Sequence, residues 1–547
     1  MSDRFRKLLV LTLALVLGLS LVTGCGRAAE GERGGDERAV EPKVGGTLVI
    51  GYEQEPEILN PFIEGGDMMA TKDVVANVLW GLVRVRPDFT YEPLLVEEVP
   101  TLENGLVTED PFTVTYKIRE EAVWSDGTPV TGEDVEFTWQ TTMDEKNKIL
   151  SRTGYEDIER IDADGKTAKL TFKKPYAAYK DLFAVSQTLL PKHALEGKDF
   201  NEVINAEIPV ASGPFVFKEW AKGDSITLER NEAFWSEHTS YLDAVTFKFI
   251  PDTNTEVAQF KTGEVDAINP APDVSLIEQL EAVEGADVQA DPGTIWEHLG
   301  FNLEKVSDAR VRQAVAYAVD RDAISNQVMK GQVSPLQSIF VPEQASVYVS
   351  AWEKYAFDTT KAEQLLGEAG YAKGADGYYA KGGNRLTIEI KSTAGNAGRE
   401  KVQQIMQSQL KDVGIELRID NEEPSTFLGS TVVDGTYELG LWAWLASPDP
   451  GSTFLYASDA VPPGGQNYYR YRNDQVTEWL KASDAEVDEA ARAELLKKVQ
   501  TQIAEDVPLI PLYQRLSIVA ARGGIHNVEN NATLEGVFWN LGEWWKE

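Results

Sequence analysis

Cysteine is almost absent from this chain: 547 residues carry one, Cys25. A single thiol excludes any internal disulfide, so packing and hydrogen bonding must hold the fold. Histidine is nearly as scarce. His193, His238, His298 and His526 stand apart without metal-ligand spacing, so no metal and no cofactor is expected. The GxSxG elbow and the HExxH pair are missing too, and the chain reads as a non-enzyme. Positive charge is in short supply, with 52 Lys and Arg against 88 Asp and Glu and a net charge of −36. Such a field repels phosphate backbones and anionic headgroups, which argues against nucleic acid as a partner. No repeat of fixed period appears. At roughly 100 to 200 residues per domain the length calls for three or so lobes.

What is present begins at the N-terminus. Arg4, Arg6 and Lys7 precede an apolar run, Leu8 to Val22, that is short for a transmembrane span. Leu21-Val22-Thr23-Gly24-Cys25 then resembles the bacterial lipobox, which implies a signal peptide over 1–24 and lipidation of Cys25. Residues 25–42 are Gly-, Arg- and Glu-rich with little apolar content, the composition of a disordered tether.

The chain is organised around Val114 to Trp139. Val114, Tyr116 and Ile118 alternate with Thr115, Lys117 and Arg119, the period of a strand covered on one face. Ser125-Asp126-Gly127 supplies turn chemistry. Thr131 and Asp134 form a capping box, with Val130 and Val135 placed for a hydrophobic staple. Elsewhere a short helix is expected over Asp73 to Trp80. Asp162 to Thr167 lacks the glycines of a calcium or phosphate loop and reads as the hairpin turn between Ile158 and Leu170. Val311, Ala314, Val315, Ala318 and Val319 give one buried helical stripe in Asp308 to Arg321. A second capping box is expected at Thr360 to Glu363, with Gly370 closing that helix. Leu386 to Ile390, Val402 to Val413 and Ile415 to Ile419 follow a β-α-β order, so a mixed α/β fold is predicted. Leu495 to Ile503 reads as a late amphipathic helix and Val507 to Tyr513 as the chain's return.

The best candidate for ligand contact is Leu439 to Asp449, apolar on both faces and running out into a polar loop. Trp442 and Trp444 share one face of it, for a ligand or equally for the core. Gly465 to Tyr471 adds Asn467 and Tyr468 in a loop that suits sequence-tolerant recognition, or serves as a plain connector.

Ile118 to Phe137 is similar to the pattern LR-x-x-V-x-W-S-D-G-x-P-x-T-x-x-D-V-x-F. Gly45 to Pro61, Gly213 to Trp235, Gly263 to Asp266 and Asp308 to Arg321 also match in order. Together these segments resemble the family 5 extracellular solute-binding proteins. The resemblance implies a type II periplasmic-binding fold with two hinged lobes and an inserted small domain. Lobe one would take 43–77, 200–293 and 507–547, the insert 78–199 and lobe two 294–506. It also implies a monomer that captures peptides, lies outside the cytoplasm and delivers to an ABC permease; sugars, opines or nickel complexes are alternatives. An extracytoplasmic hydrolase is the rival class, resting on the many scattered carboxylates from which an acid/base pair could be drawn.

By the same resemblance Asp67 and Met69 occupy a loop facing the ligand, and Asp449-Pro450 supplies part of W-x-x-D-x-x-[DE]-P. Ala446 stands where that pattern places the carboxylate for the ligand's α-amine, and the pattern's Trp falls on Ala443. A buried ammonium without a partner costs several kcal/mol. The expectation is therefore that Asp449 or Asp67 substitutes, or that the ligand is not an ordinary free-amine peptide.

Overall fold

The computed structural model describes residues 41–184, 187–236 and 240–547; Cys25, the leader, nearly all of the tether and His238 lie outside them. A mixed sheet of ten strands runs through the molecule. From one edge the order is Glu416–Ile419, Thr387–Lys391, Leu439–Leu445, Asp287–Phe301, Leu509–Ala521, Ala267–Ile268, Thr47–Tyr52, Ala244–Phe249, Ser225–Arg230 and Phe215–Ala221.

The two strands at the middle are long, 15 and 13 residues, and pair antiparallel. Asp287–Phe301 meets Leu439–Leu445 only through its second half, and the end of Leu509–Ala521 meets Ala267–Ile268. Between Pro292 and Trp296 the register shifts. A side chain on Gly293 would press on the Arg515 carbonyl at 2.8 Å, and the Gln514 amide donates to the Gly293 carbonyl at 2.9 Å. A bulge of this kind bends and twists the strand that carries it. Two large apolar cores lie toward opposite ends of this sheet, one including Val402, Leu439 and Trp352, the other Leu48, Val245 and Trp124.

The Val114 to Trp139 unit forms largely as its pattern requires. Phe112–Lys117 lies in a four-stranded sheet beside the Ile158–Asp164 and Thr167–Phe172 hairpin. Gly132–Met143 follows as a helix with the Thr131/Asp134 capping box. Asp134 is buried and does more than cap. Its carboxylate accepts from Thr131 N at 2.9 Å, Lys192 N at 2.9 Å and Trp124 Nε1 at 3.4 Å, so one side chain ties strand, turn and helix together. Asp134→Asn turns an amide N–H donor toward one of these donors and should lower stability by about 1–3 kcal/mol, measured by urea unfolding.

Several local expectations shift. The first helix is Met69–Val75, not Asp73 to Trp80. It stops early because the Asn77 side chain takes the Asp73 carbonyl at 2.8 Å and the Val78 carbonyl turns to Ser212 N and Gly213 N. The Thr359–Glu368 helix is capped by Asp358, which accepts from Lys361 N at 2.9 Å, rather than by Thr360. An aspartate in the N-cap position is the stronger acceptor. Arg312 is buried and donates to the Asp506 and Val507 carbonyls at the end of Glu489–Asp506, while Arg310 grips Asp308 and the Glu368 carbonyl. The return strand begins at Leu509 and runs to Ala521, well past Tyr513. Among the described residues no helix is long and apolar enough to cross a membrane.

Candidate functional site

Trp442 and Trp444 leave the Leu439–Leu445 strand on the same side, yet their surroundings differ. Trp442 is buried, its ring 4.6 Å from His298 and 5.6 Å from Tyr469 between centroids. Gly300 and Gly440 face each other across the strand pair, and a Cβ on either would overlap this indole. Trp442 is therefore a core residue, set in a groove made by two glycines. Trp444 stands at the strand's end and is half-buried. Its Nε1 donates to Tyr469 Oη at 2.7 Å and its ring stacks on Tyr468 at 5.7 Å. Tyr469 also bonds His298 Nε2 at 2.8 Å, and burial holds that imidazole well below its ordinary pKa and neutral. Trp444 and Tyr468 are the outer face of an aromatic block whose inner members are Trp442, His298 and Tyr469.

Two other residues have structural partners. Asn467 is buried and closes its own loop, donating to the Ala457 and Tyr471 carbonyls and accepting from Tyr471 N. Its amide has no hydrogen left to offer a ligand. Asp449 is gripped by Arg492 in a two-pronged pair of 2.5 and 2.7 Å and also accepts from Gly451 N. Its charge is already matched by Arg492, while it still borders the first and third cavities described below. Asp67 lies exposed on the loop before the first helix, and Met69 opens that helix.

Three cavities share the segment Leu445 to Pro450. The first, about 330 Å³, is bounded by Phe89, Tyr91 and Tyr179 on one side and by Asp449 and Arg492 on the other. Behind it Tyr91 donates to Asp181, and burial with Asp449 nearby pushes that acid up to about 7. The third is a slot of about 40 Å³ lined by Trp296, Trp444 and Ala446. The second, about 300 Å³, lies against the bulge of the central strands and includes Met69, Asp73, Glu53, Leu445 and Arg515. Volumes of about 300 Å³ are the lower range for small-molecule sites.

This second cavity brings together charges that no spacing rule had singled out. Asp73 is buried; its Oδ2 accepts from the Tyr52 hydroxyl and its Oδ1 has no hydrogen-bond partner. Desolvation pushes it up to about 7, against the Tyr52 bond. Glu53 accepts from Thr253 Oγ1 at 2.5 Å. At the opposite end of the charge scale, Arg515 and Arg399 both bond the buried Glu297, at 2.9 and 3.0 Å. Two guanidiniums on one carboxylate leave this trio with an excess positive charge. A signal exists for one of them, since Gln514-Arg515 interrupts an apolar strand; Asp73, next to Lys72 in a mixed helix, carries none.

Burial of unmatched acids also sets a pH response. Glu256 has both oxygens buried without partners and is pushed up to about 8, first by desolvation and then by Glu53. Glu535 is likewise at about 8 by burial. Their unfolded values lie near 4.5, so between there and 8 the folded chain binds more protons and rising pH weakens it. Stability should fall from pH 5 toward pH 8 by up to about 1.4 kcal/mol per pH unit for each such group. Glu256→Gln should flatten this slope, read from urea midpoints across that range.

Among the described residues no cluster of three or more His, Cys, Asp or Glu could hold a metal ion. The curated relative AppA of Bacillus subtilis (strain 168), an oligopeptide-binding protein, is 27% identical over 561 residues, covering 100% of this chain and 99% of its own. The solved structure of AppA from Bacillus subtilis in complex with a nonapeptide matches with a TM-score of 0.68 at 26% identity, over 93% of this chain and 100% of that one. A Periplasmic EDTA-binding protein, EppA, matches in fold with a TM-score of 0.79 at 24% identity, over 95% and 99%. These neighbours share the type II periplasmic-binding architecture expected from the sequence. The model of the Bacterial extracellular solute-binding proteins, family 5 Middle, matches residues 90–465, and the chain belongs to that family.

Proposed function

We propose that this chain is the solute-binding subunit of an ABC importer, capturing peptides beside Leu445 to Pro450 and delivering them to the membrane permease. The observation that carries this reading is the likeness to oligopeptide-binding AppA over the whole chain. The cavities support it: aromatic walls at Tyr91 and Trp444 desolvate a ligand, and the charged residues of the first cavity, Asp449 and Arg492 among them, orient it. Met69 and Asp73 bring the early chain to the same place as Leu445 and Arg515.

In this reading the lobes are 43–77 with 200–293 and 507–547, and 294–506, with 78–199 inserted. The strand order supports the division, because Leu439–Leu445, Thr387–Lys391 and Glu416–Ile419 stand on one side of the two long strands and the remainder on the other. The bulge at Gly293 is a natural hinge between them. The chain acts as a monomer, without chemistry on its ligand. It is exported by a signal peptide over 1–24 and held outside the membrane by a lipid on Cys25, with 25–42 as the tether.

The test is native mass spectrometry of the protein purified from a rich medium, followed by denaturing release of what it carries. Peptides of mixed sequence are expected. A sugar, an opine or a metal complex in their place would overturn the peptide reading and leave the family standing.

A further inference from the structure

The missing carboxylate at Ala446 has a counterpart elsewhere in the same region. Asp449 is neutralised by Arg492, and Asp67 faces solvent. Asp73 differs from both. It is 2% exposed, its Oδ1 has no partner, and it lines the 300 Å³ cavity. That oxygen lies against Gly536, where a Cβ would collide with it; Gly536 lines the cavity as well, with the Met69 sulfur beside the same spot. A buried carboxylate oxygen without a donor is costly to keep, and a ligand that brings a donor relieves the cost.

The other wall carries the opposite charge. Arg515 borders the cavity with its side chain 32% exposed, and it shares Glu297 with Arg399. Glu297 is bonded by both guanidiniums, so it balances only one of the two positive charges. An unmatched cation in a partly dry site favours a carboxylate, and guanidinium geometry favours two-pronged contact with it.

We infer that the cavity between the Met69–Val75 helix and the bulged central strands reads both ends of a short zwitterionic peptide, its α-ammonium on Asp73 and its carboxylate on Arg515. This rests on the peptide reading above and deepens it: the amine anchor has moved from the Leu445 to Pro450 segment to the first helix. Tyr52 holds the second oxygen of Asp73 in place, Glu53 adds negative charge on the same wall, and Lys72 is the neighbouring cation. Hydrophobic contact comes from Met69, Ile295 and Leu445, which are exposed into this region.

The experiment is a competition for the full chain among an equimolar tripeptide mixture, the same tripeptides N-acetylated, and the same tripeptides C-terminally amidated, read by native mass spectrometry. The wild-type chain is expected to retain the free-amine form about ten- to hundredfold over the acetylated form, the discrimination of one charged hydrogen bond. It should discriminate against the amide similarly. Asp73→Asn should lose the amine preference and keep the carboxylate preference; Arg515→Gln should do the converse. Equal retention of free and acetylated peptides by the wild-type chain, which needs no variant to fold, would overturn the inference while leaving peptide capture intact. So would an unchanged amine preference in Asp73→Asn. Retention of no peptide in any form would overturn the peptide reading and this inference with it.

Discussion

Replacing Glu297 with glutamine should lower the stability of the protein by about 3–5 kcal/mol, the cost of leaving buried charge unpaired. Glu297 is 2% exposed and Arg399 is 7% exposed, so neither can turn to water. Arg399 reaches Glu297 through Nε and Nη2 and places Nη1 on Thr393 Oγ1 at 3.0 Å. Arg515 reaches the same carboxylate from the neighbouring strand. Without the carboxylate the buried Arg399 is left unpaired beside the partly exposed Arg515, and their repulsion adds to the lost attraction. The cluster ties the Asp287–Phe301 strand, the Ala397–Val413 helix and the Leu509–Ala521 strand together next to the register shift. Urea unfolding at neutral pH reads the effect, and a loss below about 1 kcal/mol would show that the trio is structurally idle. The double change Glu297→Leu with Arg399→Met should recover part of the loss, because no buried charge then remains from that pair.

Trp442→Ala is the second large effect. A buried tryptophan cut to alanine loses about 3–5 kcal/mol through lost apolar contact and the cavity left behind. The groove around Trp442 is built from Gly300 and Gly440, which offer no atoms to refill it, and from Tyr469 and His298, which are held by their own hydrogen bond. Collapse into the space is therefore poor. Trp444→Ala should be milder for stability, since one side of that ring already meets the cavity lined by Ala446, and should appear instead as weaker peptide retention. If Trp442→Ala left the unfolding midpoint unchanged, the placement of that ring in the core would be wrong. Gly300→Ala offers an independent check from the opposite direction, overpacking the same groove at about 1–3 kcal/mol.

How far the sequence carries can be judged residue by residue. The hairpin at Asp162 to Thr167, the buried positions Val311, Ala314, Val315 and Ala318 and the capping box at Thr131 follow from periodicity and from hydrogen bonds made within a few residues, whereas Val319, expected on the same stripe, is extended because Asp320 caps a second helix. The order of such elements, together with the signature around Trp124, was enough to indicate the family and its fold. Local rules erred where a neighbour in sequence was outbid by a closer or stronger one. Asp358 takes the cap from Thr360, and Asn77 ends a helix that its own propensity would have continued.

The site needed the tertiary structure. Trp442 and Trp444 have the same pattern in the chain, and only the glycines packed across from Trp442 decide that one is core and the other half-open. Asp449 looks like a free acid until Arg492, 43 residues later, closes on it. Asp73 and Arg515 lie 442 positions apart and border one cavity only because the long return strand runs down the centre of the sheet. Secondary structure is written in short-range periodicity, whereas burial and charge pairing depend on which distant surfaces meet. The elements and the family were therefore legible in the residues alone, and the residues proposed to anchor the ligand were not.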